Sequence, residues 1–294
     1  MVERASLRIA DTSVGLIAED HGMRLKVEGA TKAFLVPETN PDLTIHASWG
    51  ELSQATCGEK VFDAGGLWQL YRENASYLFR FTSPALGTTP YRIATFNEDF
   101  TVGWVRLHRP YFPGDAAVYP LEYPLDELLI VHWLARGRGV ELHACGLVDS
   151  TNCGHLFVGQ SGAGKTTMAR LWQNREGIEI LSDDRIIVRK RAGRFWMYGT
   201  PWHGEPRLAS PSGAPLAAIH LLRHGTRNAL TTLGTGEAVG RLFACCFPPF
   251  YSSSALEFTL GFLEEIAREV PCSELKFLPD DRVVELIQRA TKRT

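Results

Sequence analysis

The chain has 294 residues, 45% of them hydrophobic and 22% charged, with a formal net charge of −2. That is the composition of a globular protein of one or two domains with a sizeable core. Dispersed Lys and Arg argue against nucleic acid and against a polybasic membrane patch, leaving small molecules and proteins as the expected partners. No run of about 18 apolar residues occurs and the first residues lack an apolar signal core, so a cytoplasmic protein with no membrane partner is expected. Six cysteines (Cys57, Cys145, Cys153, Cys245, Cys246, Cys272) form no C-x-x-C pair, and reduced, mostly buried thiols are the expectation.

Residues 1–115 read as a β-rich N-terminal region. Alternating apolar and polar positions at 7–9, 23–27, 43–47, 77–81, 91–96 and 101–107 imply strands with one buried face, in a mostly antiparallel arrangement. Only residues 67–71 hint at a turn of helix. Trp49, Trp68, Tyr71, Trp104 and Tyr111 are expected in the core of this region. Pro110, Pro113, Gly114, Pro120 and Pro124 mark a linker, and residues 120–294 read as a second domain.

That second domain opens with helical apolar spacing over 125–134, ended by Gly137 and Gly139. Strand-like runs follow at 140–148 and 154–158, a helix after residue 166, and further strands at 177–181, 186–189, 195–198 and 273–277. Amphipathic spacing predicts helices over 255–268 and 280–289. The apolar stretch 242–247, with the Cys245-Cys246 pair, reads as core.

Between the strand at 154–158 and its helix stands Gly159-Gln-Ser-Gly-Ala-Gly-Lys-Thr166, a complete G-x-x-x-x-G-K-[ST] phosphate loop. Its glycines let backbone N–H groups turn toward phosphate oxygens, Lys165 brings positive charge to the β/γ-phosphates, and the Thr166 hydroxyl can ligate Mg²⁺. Gly159, Ser161, Gly162, Ala163, Gly164, Lys165, Thr166 and Thr167 are therefore the candidate nucleotide-binding residues, with ATP and Mg²⁺ as cofactors. No N-K-x-D guanine-reading sequence occurs, so GTP has no support.

One helix and one strand later comes Ser182-Asp183-Asp184. A parallel strand beside the phosphate-loop strand would deliver these carboxylates to the ligand crevice. One can hold Mg²⁺ while the other takes a proton from an attacking hydroxyl; the alternative is a turn or helix-cap pair.

Taken together, His143-Ala144, the loop, residues 181–185 and Gly199-Thr-Pro-Trp-His-Gly-Glu205 resemble the HPr kinase-related family of bacteria. The resemblance covers about residues 139–224. It implies an α/β P-loop kinase domain of the HPr kinase/phosphoenolpyruvate carboxykinase-like type, often assembled as a homo-oligomer. It also implies Lys165 on the phosphates, His143 close to them, Asp184 as proton acceptor, and Thr166 and Glu205 near the metal; with Asp184 taken as acceptor, the acidic pair itself leaves Asp183 to hold Mg²⁺. The chain departs from that family in Thr166, where Ser is usual, and in lacking the downstream Glu-Ile-Arg-Gly signature.

The expected activity is ATP-dependent phosphoryl transfer to a hydroxyl, a serine of a small protein or peptide or else free serine, with catalytic residues Asp184, Lys165 and His143. The alternatives are a nucleotide-dependent peptide-binding or ATP-sensing module without transfer, and carboxykinase chemistry on a small acid. Trp202, His203, Arg207, Arg223 and His224 are candidate substrate or phosphate contacts.

Overall fold

The computed structural model describes residues 3–38, 40–53, 58–205 and 207–291. The protein is a mixed α/β structure, and the chain divides into two units, Met1–Trp133 and Leu134–Thr294. Cys57 lies outside the described residues.

In the N-terminal unit the strands are β1 (Arg4–Ile9), β2 (Thr12–Ala18), β3 (Arg24–Leu25), β4 (Leu35–Val36), β5 (Leu43–Gly50), β6 (Glu59–Asp63), β7 (Trp68–Glu73), β8 (Ser76–Ser83), β9 (Gly87–Asn97), β10 (Val102–His108) and β11 (Ala117–Val118), followed by helix α1 (Leu125–Leu134). Nine of them form one sheet in the order β4-β1-β2-β5-β10-β9-β8-β7-β6. Alternation sorts its faces: Val105 and Leu107 of β10 are buried while Trp104 and Arg106 between them are exposed. The sheet is mostly antiparallel, as expected, except that β5 runs parallel to both β2 and β10.

Three expectations change here. Residues 67–71 contribute to strand β7, not to a helix, because Trp68 and Leu70 pair with Phe81 and Phe79 of β8, and cross-strand pairing overrides a weak local preference. Helix α1, grouped by sequence with the second domain, packs His132 against Phe100 and Phe79 at ring separations of 4.7 and 5.3 Å. Trp104, expected in the core, is 51% exposed and stacks on His46.

The C-terminal unit holds β12 (Val140–Val148), β13 (Gly154–Val158), α2 (Lys165–Gln173), β14 (Glu179–Ser182), β15 (Arg185–Arg191), β16 (Arg194–Gly199), β17 (Gly213–His224), β18 (Ala229–Thr232), α3 (Thr235–Phe243), α4 (Ser253–Glu269), β19 (Cys272–Phe277) and α5 (Arg282–Thr291). The sheet runs β13-β12-β15-β16-β17-β19-β18, and β13 also pairs with β17, so five strands close on themselves. Strands β13, β17 and β19 are mutually parallel neighbours.

Residues of opposite parity face two cores. Leu142 and Ala144 of β12, Leu156 and Val158 of β13 and Leu221 of β17 join the core under α3 and α4. Cys145, Leu147, Phe157 and Leu222 join the core under α2 and α5. Fully buried strands of this kind read as near-continuous apolar runs, which is why 140–148 and 154–158 were legible to the residue.

Candidate phosphate-binding site

The loop Gly159–Gly164 connects β13 to α2, as its flanking patterns predict. Gly164 is the residue before the helix, with φ of 103°, and a Cβ there would stand 2.5 Å from Phe277 Cζ. Only glycine takes that left-handed turn against an aromatic ring without strain. Helix α2 is anchored from below by Met168, Ala169 and Trp172, so its N-terminal amides and their positive dipole end are held at the loop.

Lys165 is buried, and its ammonium donates to the carbonyl oxygens of Gly159 and Gln160 at 2.9 and 3.2 Å. Burial lowers its pKa below the usual lysine value, against a raising effect of the Asp184 carboxylate. Ser161 and Gly162 are exposed at the loop crest, while Ala163, Thr166 and Thr167 are half-buried. His224 donates from Nε2 to the Gly162 carbonyl at 2.7 Å and stacks on Phe277, which ties the crest of the loop to the end of β17.

The acidic strand is not the immediate neighbour of the phosphate-loop strand. β14 pairs with β12, which lies between it and β13, and β12 is antiparallel to both. Two reversals restore the direction, so β13 and β14 still end on the same side of the sheet. His143 lies on the intervening strand. Its backbone N–H donates to Cys245 O at 2.7 Å, and its carbonyl accepts from Gly159 N–H at 3.3 Å. Its ring Nε2 lies 2.9 Å from Asp184 Oδ1.

The two aspartates have different surroundings. Asp184 has Oδ1 on His143 and Oδ2 on Arg185; Arg185 Nε also lies 3.5 Å from the buried Glu141, and its guanidinium covers the Phe247 ring. Burial pushes the Asp184 carboxyl up, but the His143 hydrogen bond and the Arg185, His143 and Lys165 charges outweigh it, and its pKa is lowered. Asp183 is 1% exposed and its pKa is raised, chiefly by burial. Its Oδ1 accepts from the amides of Gly204 and Leu208 at 3.2 and 3.3 Å, while Oδ2 has no hydrogen-bond partner among the described residues. Unequal environments of this kind assign neighbouring carboxylates different tasks. An orphaned carboxylate oxygen beside a phosphate loop fits a divalent cation, which in such sites takes one or two carboxylates together with water and phosphate oxygens. No group of three or more His, Cys, Asp or Glu side chains is gathered as a metal cage among the described residues.

The remaining candidates are scattered by the fold. Glu205 is not drawn to the acidic pair: its side chain is 89% exposed and forms an ion pair with Arg170, at 3.9 Å. Trp202, a candidate substrate contact in the sequence, is buried, with its indole N–H lacking a partner among the described residues. His203 Nδ1 lies 2.9 Å from Gly204 O. Arg207 adopts a left-handed φ of 58°. Arg223 projects outward, 63% exposed, toward Glu274 at 3.4 Å.

A cavity of about 380 Å³ opens beside the loop, lined by Gly159, Ser161 and Ala163 on one side and by His224, Arg241 and Cys245 on the other. Its size is that of a ligand site. Arg241 and Cys245 carried no ligand signal in the sequence: Arg241 stands one helical turn after Glu237, the pattern of a solvated pair, and Cys245 sits in an apolar run. Cys145, Cys245, Cys246 and Cys272 are buried and unbridged, as expected, and Cys153 is partly buried. No helix among the described residues is long and apolar enough to cross a membrane. No protein-family model matches the chain, and no curated protein matches it significantly.

Proposed function

We propose that this chain is an ATP-dependent kinase of the HPr kinase-like, P-loop type, acting on a hydroxyl, a serine of a small protein or peptide. The observation that carries the reading is the convergence, through strand β12, of the phosphate loop with the His143–Asp184 pair: Gly159 N–H donates to the carbonyl of the same histidine whose ring holds Asp184.

In this reading the loop amides and Lys165 bind the β- and γ-phosphates. Asp184 receives the acceptor proton, held in position by His143, which contributes about 10²–10⁴-fold as general base catalysis does elsewhere. The Thr166 hydroxyl and Asp183 Oδ2 would hold Mg²⁺. When bound, the ion offsets charge on the phosphate oxygens. Positioning and electrostatics then supply most of the rate.

A second reading is a nucleotide-dependent peptide-binding or ATP-sensing module without transfer. It is favoured by the engagement of both Asp184 oxygens, one by His143 and one by Arg185. Incubation with Mg²⁺ and γ-labelled ATP, with and without cell extract or candidate serine peptides, separates the two. Label on an acceptor, absent with Lys165→Ala and Asp184→Asn, supports the kinase; saturable ATP binding with label on no acceptor supports the module.

A further inference from the structure

We infer that Arg241, and not Arg223, supplies the second positive charge to the phosphoryl group being transferred. This rests on the kinase reading above and assigns a further catalytic residue to the same site. Arg223 satisfies a sequence reading because it ends an apolar strand, but its side chain points to solvent and it does not line the cavity beside the loop. Arg241 does line it, facing Gly159, Ser161 and Ala163 from helix α3.

Its guanidinium is both anchored and available. Nη1 makes both ion pairs, with Glu274 at 2.9 Å and Glu237 at 3.4 Å, while Nη2 and Nε have no partner among the described residues. Glu274 is shared: Arg223 and Lys276 also reach it, each at 3.4 Å. Three cations therefore surround Glu274, and with Glu237 the cluster keeps one net positive charge. An arginine fixed at one nitrogen keeps the rest of its planar fork for phosphate oxygens. Glu274 lies on β19, in register with Leu221 of β17, so the anchor belongs to the sheet rather than to a loop.

The step it would serve balances simply. The acceptor oxygen bonds to the γ-phosphorus as that phosphorus parts from the β–γ bridging oxygen, ADP leaves with the electron pair, and the acceptor proton passes to Asp184. Charge on the transferring group and the leaving oxygen faces Lys165 and Arg241 together.

The test measures equilibrium Mg·ATP binding and transfer of label from γ-labelled ATP for the wild type, Arg241→Ala, Arg241→Lys and Asp184→Asn. Arg241→Ala is expected to bind ATP within about threefold of wild type and to lose about 10³-fold in turnover, as loss of a catalytic arginine does elsewhere. Arg241→Lys, which keeps the charge and the Glu274 pair but not the fork, is expected to recover less than about a tenth of the activity. Added guanidinium ion should restore part of the turnover of Arg241→Ala and none of that of Asp184→Asn. Turnover of Arg241→Ala within about threefold of wild type overturns the assignment. Full recovery by lysine with no guanidinium rescue overturns it too, since a charge pairing with Glu274 would explain that result. If Arg241→Ala does not fold, the lysine variant decides alone: turnover of Arg241→Lys within about threefold of wild type overturns the assignment, and a loss of more than about tenfold with ATP binding kept supports it. A wild type that binds ATP and transfers no label sinks the kinase reading itself, and this inference with it.

Discussion

His143 Nε2 and Asp184 Oδ1 stand 2.9 Å apart although 41 residues separate them in the chain. The contact exists because β12 lies between the phosphate-loop strand and the acidic strand, pairing with both. Each partner can be removed separately. Asp184→Asn should lower turnover by at least about 10²-fold while ATP affinity stays nearly unchanged, whereas His143→Ala should cause a smaller loss of the same kind. Single-turnover transfer and equilibrium ATP binding on the same preparations check this, and unchanged turnover in Asp184→Asn would end its role as proton acceptor.

Lys165 donates its ammonium protons to the Gly159 and Gln160 carbonyls. Saturation with Mg·ATP at about 100 times its Kd should raise the unfolding free energy of the wild type by about 2.7 kcal/mol. Lys165→Ala should lose most of that increment. Thermal melts with and without nucleotide measure it, and an equal shift in both proteins would remove Lys165 from the binding site.

Gly204 is required by close approach: a Cβ there would stand 2.4 Å from Asp183 Oδ2. Gly204→Ala must push the loop off Asp183, breaking its amide bond to Oδ1, at a cost of about 1–3 kcal/mol as overpacking usually brings. Turnover should fall with it, because the carboxylate loses its orientation. Urea unfolding and label transfer on the same variant are the measurements, and wild-type values in both would show that the loop moves aside without consequence.

His220 is buried between the rings of His155 and Phe157, at 5.9 and 5.1 Å, with Nδ1 lying 3.0 Å from Ser273 Oγ. Burial, aided by His155, pushes its pKa down to about 3. The unfolded chain takes up a proton near the ordinary histidine value of about 6.5 and the folded chain does not. Stability present above pH 6.5 is therefore lost as pH falls toward about 3, by up to about 1.4 kcal/mol per pH unit from this residue. In His220→Phe that component vanishes, so the gap in unfolding free energy between variant and wild type should move in the variant's favour between pH 7 and pH 5. A gap constant with pH would mean that His220 titrates alike in both states.

Much of the C-terminal unit was legible in the chain because its signals are contiguous. The near-continuous apolar runs at 140–148 and 154–158 reflect strands buried on both faces, and the phosphate loop is written in eight successive residues whose glycines and lysine act locally. Helix 125–134 was equally clear in its bounds, although not in the unit it joins. Residues 67–71 misled because their strand depends on Phe79 and Phe81 opposite, which local spacing does not encode.

What the sequence by itself determined was backbone habit and chemical inventory: where strands and helices run, that a glycine-rich turn ending in Lys165 and Thr166 joins one pair of them, and that two aspartates follow. Tertiary structure alone decided who meets whom. It placed β12 between the loop and the acids, buried Trp202, turned Arg223 and Glu205 outward, and brought Arg241 to the cavity from a helix formed much later in the chain. The physical reason is that a residue's φ/ψ preferences come from its near neighbours, whereas exposure, ion pairing and strand order come from contacts between segments distant in sequence.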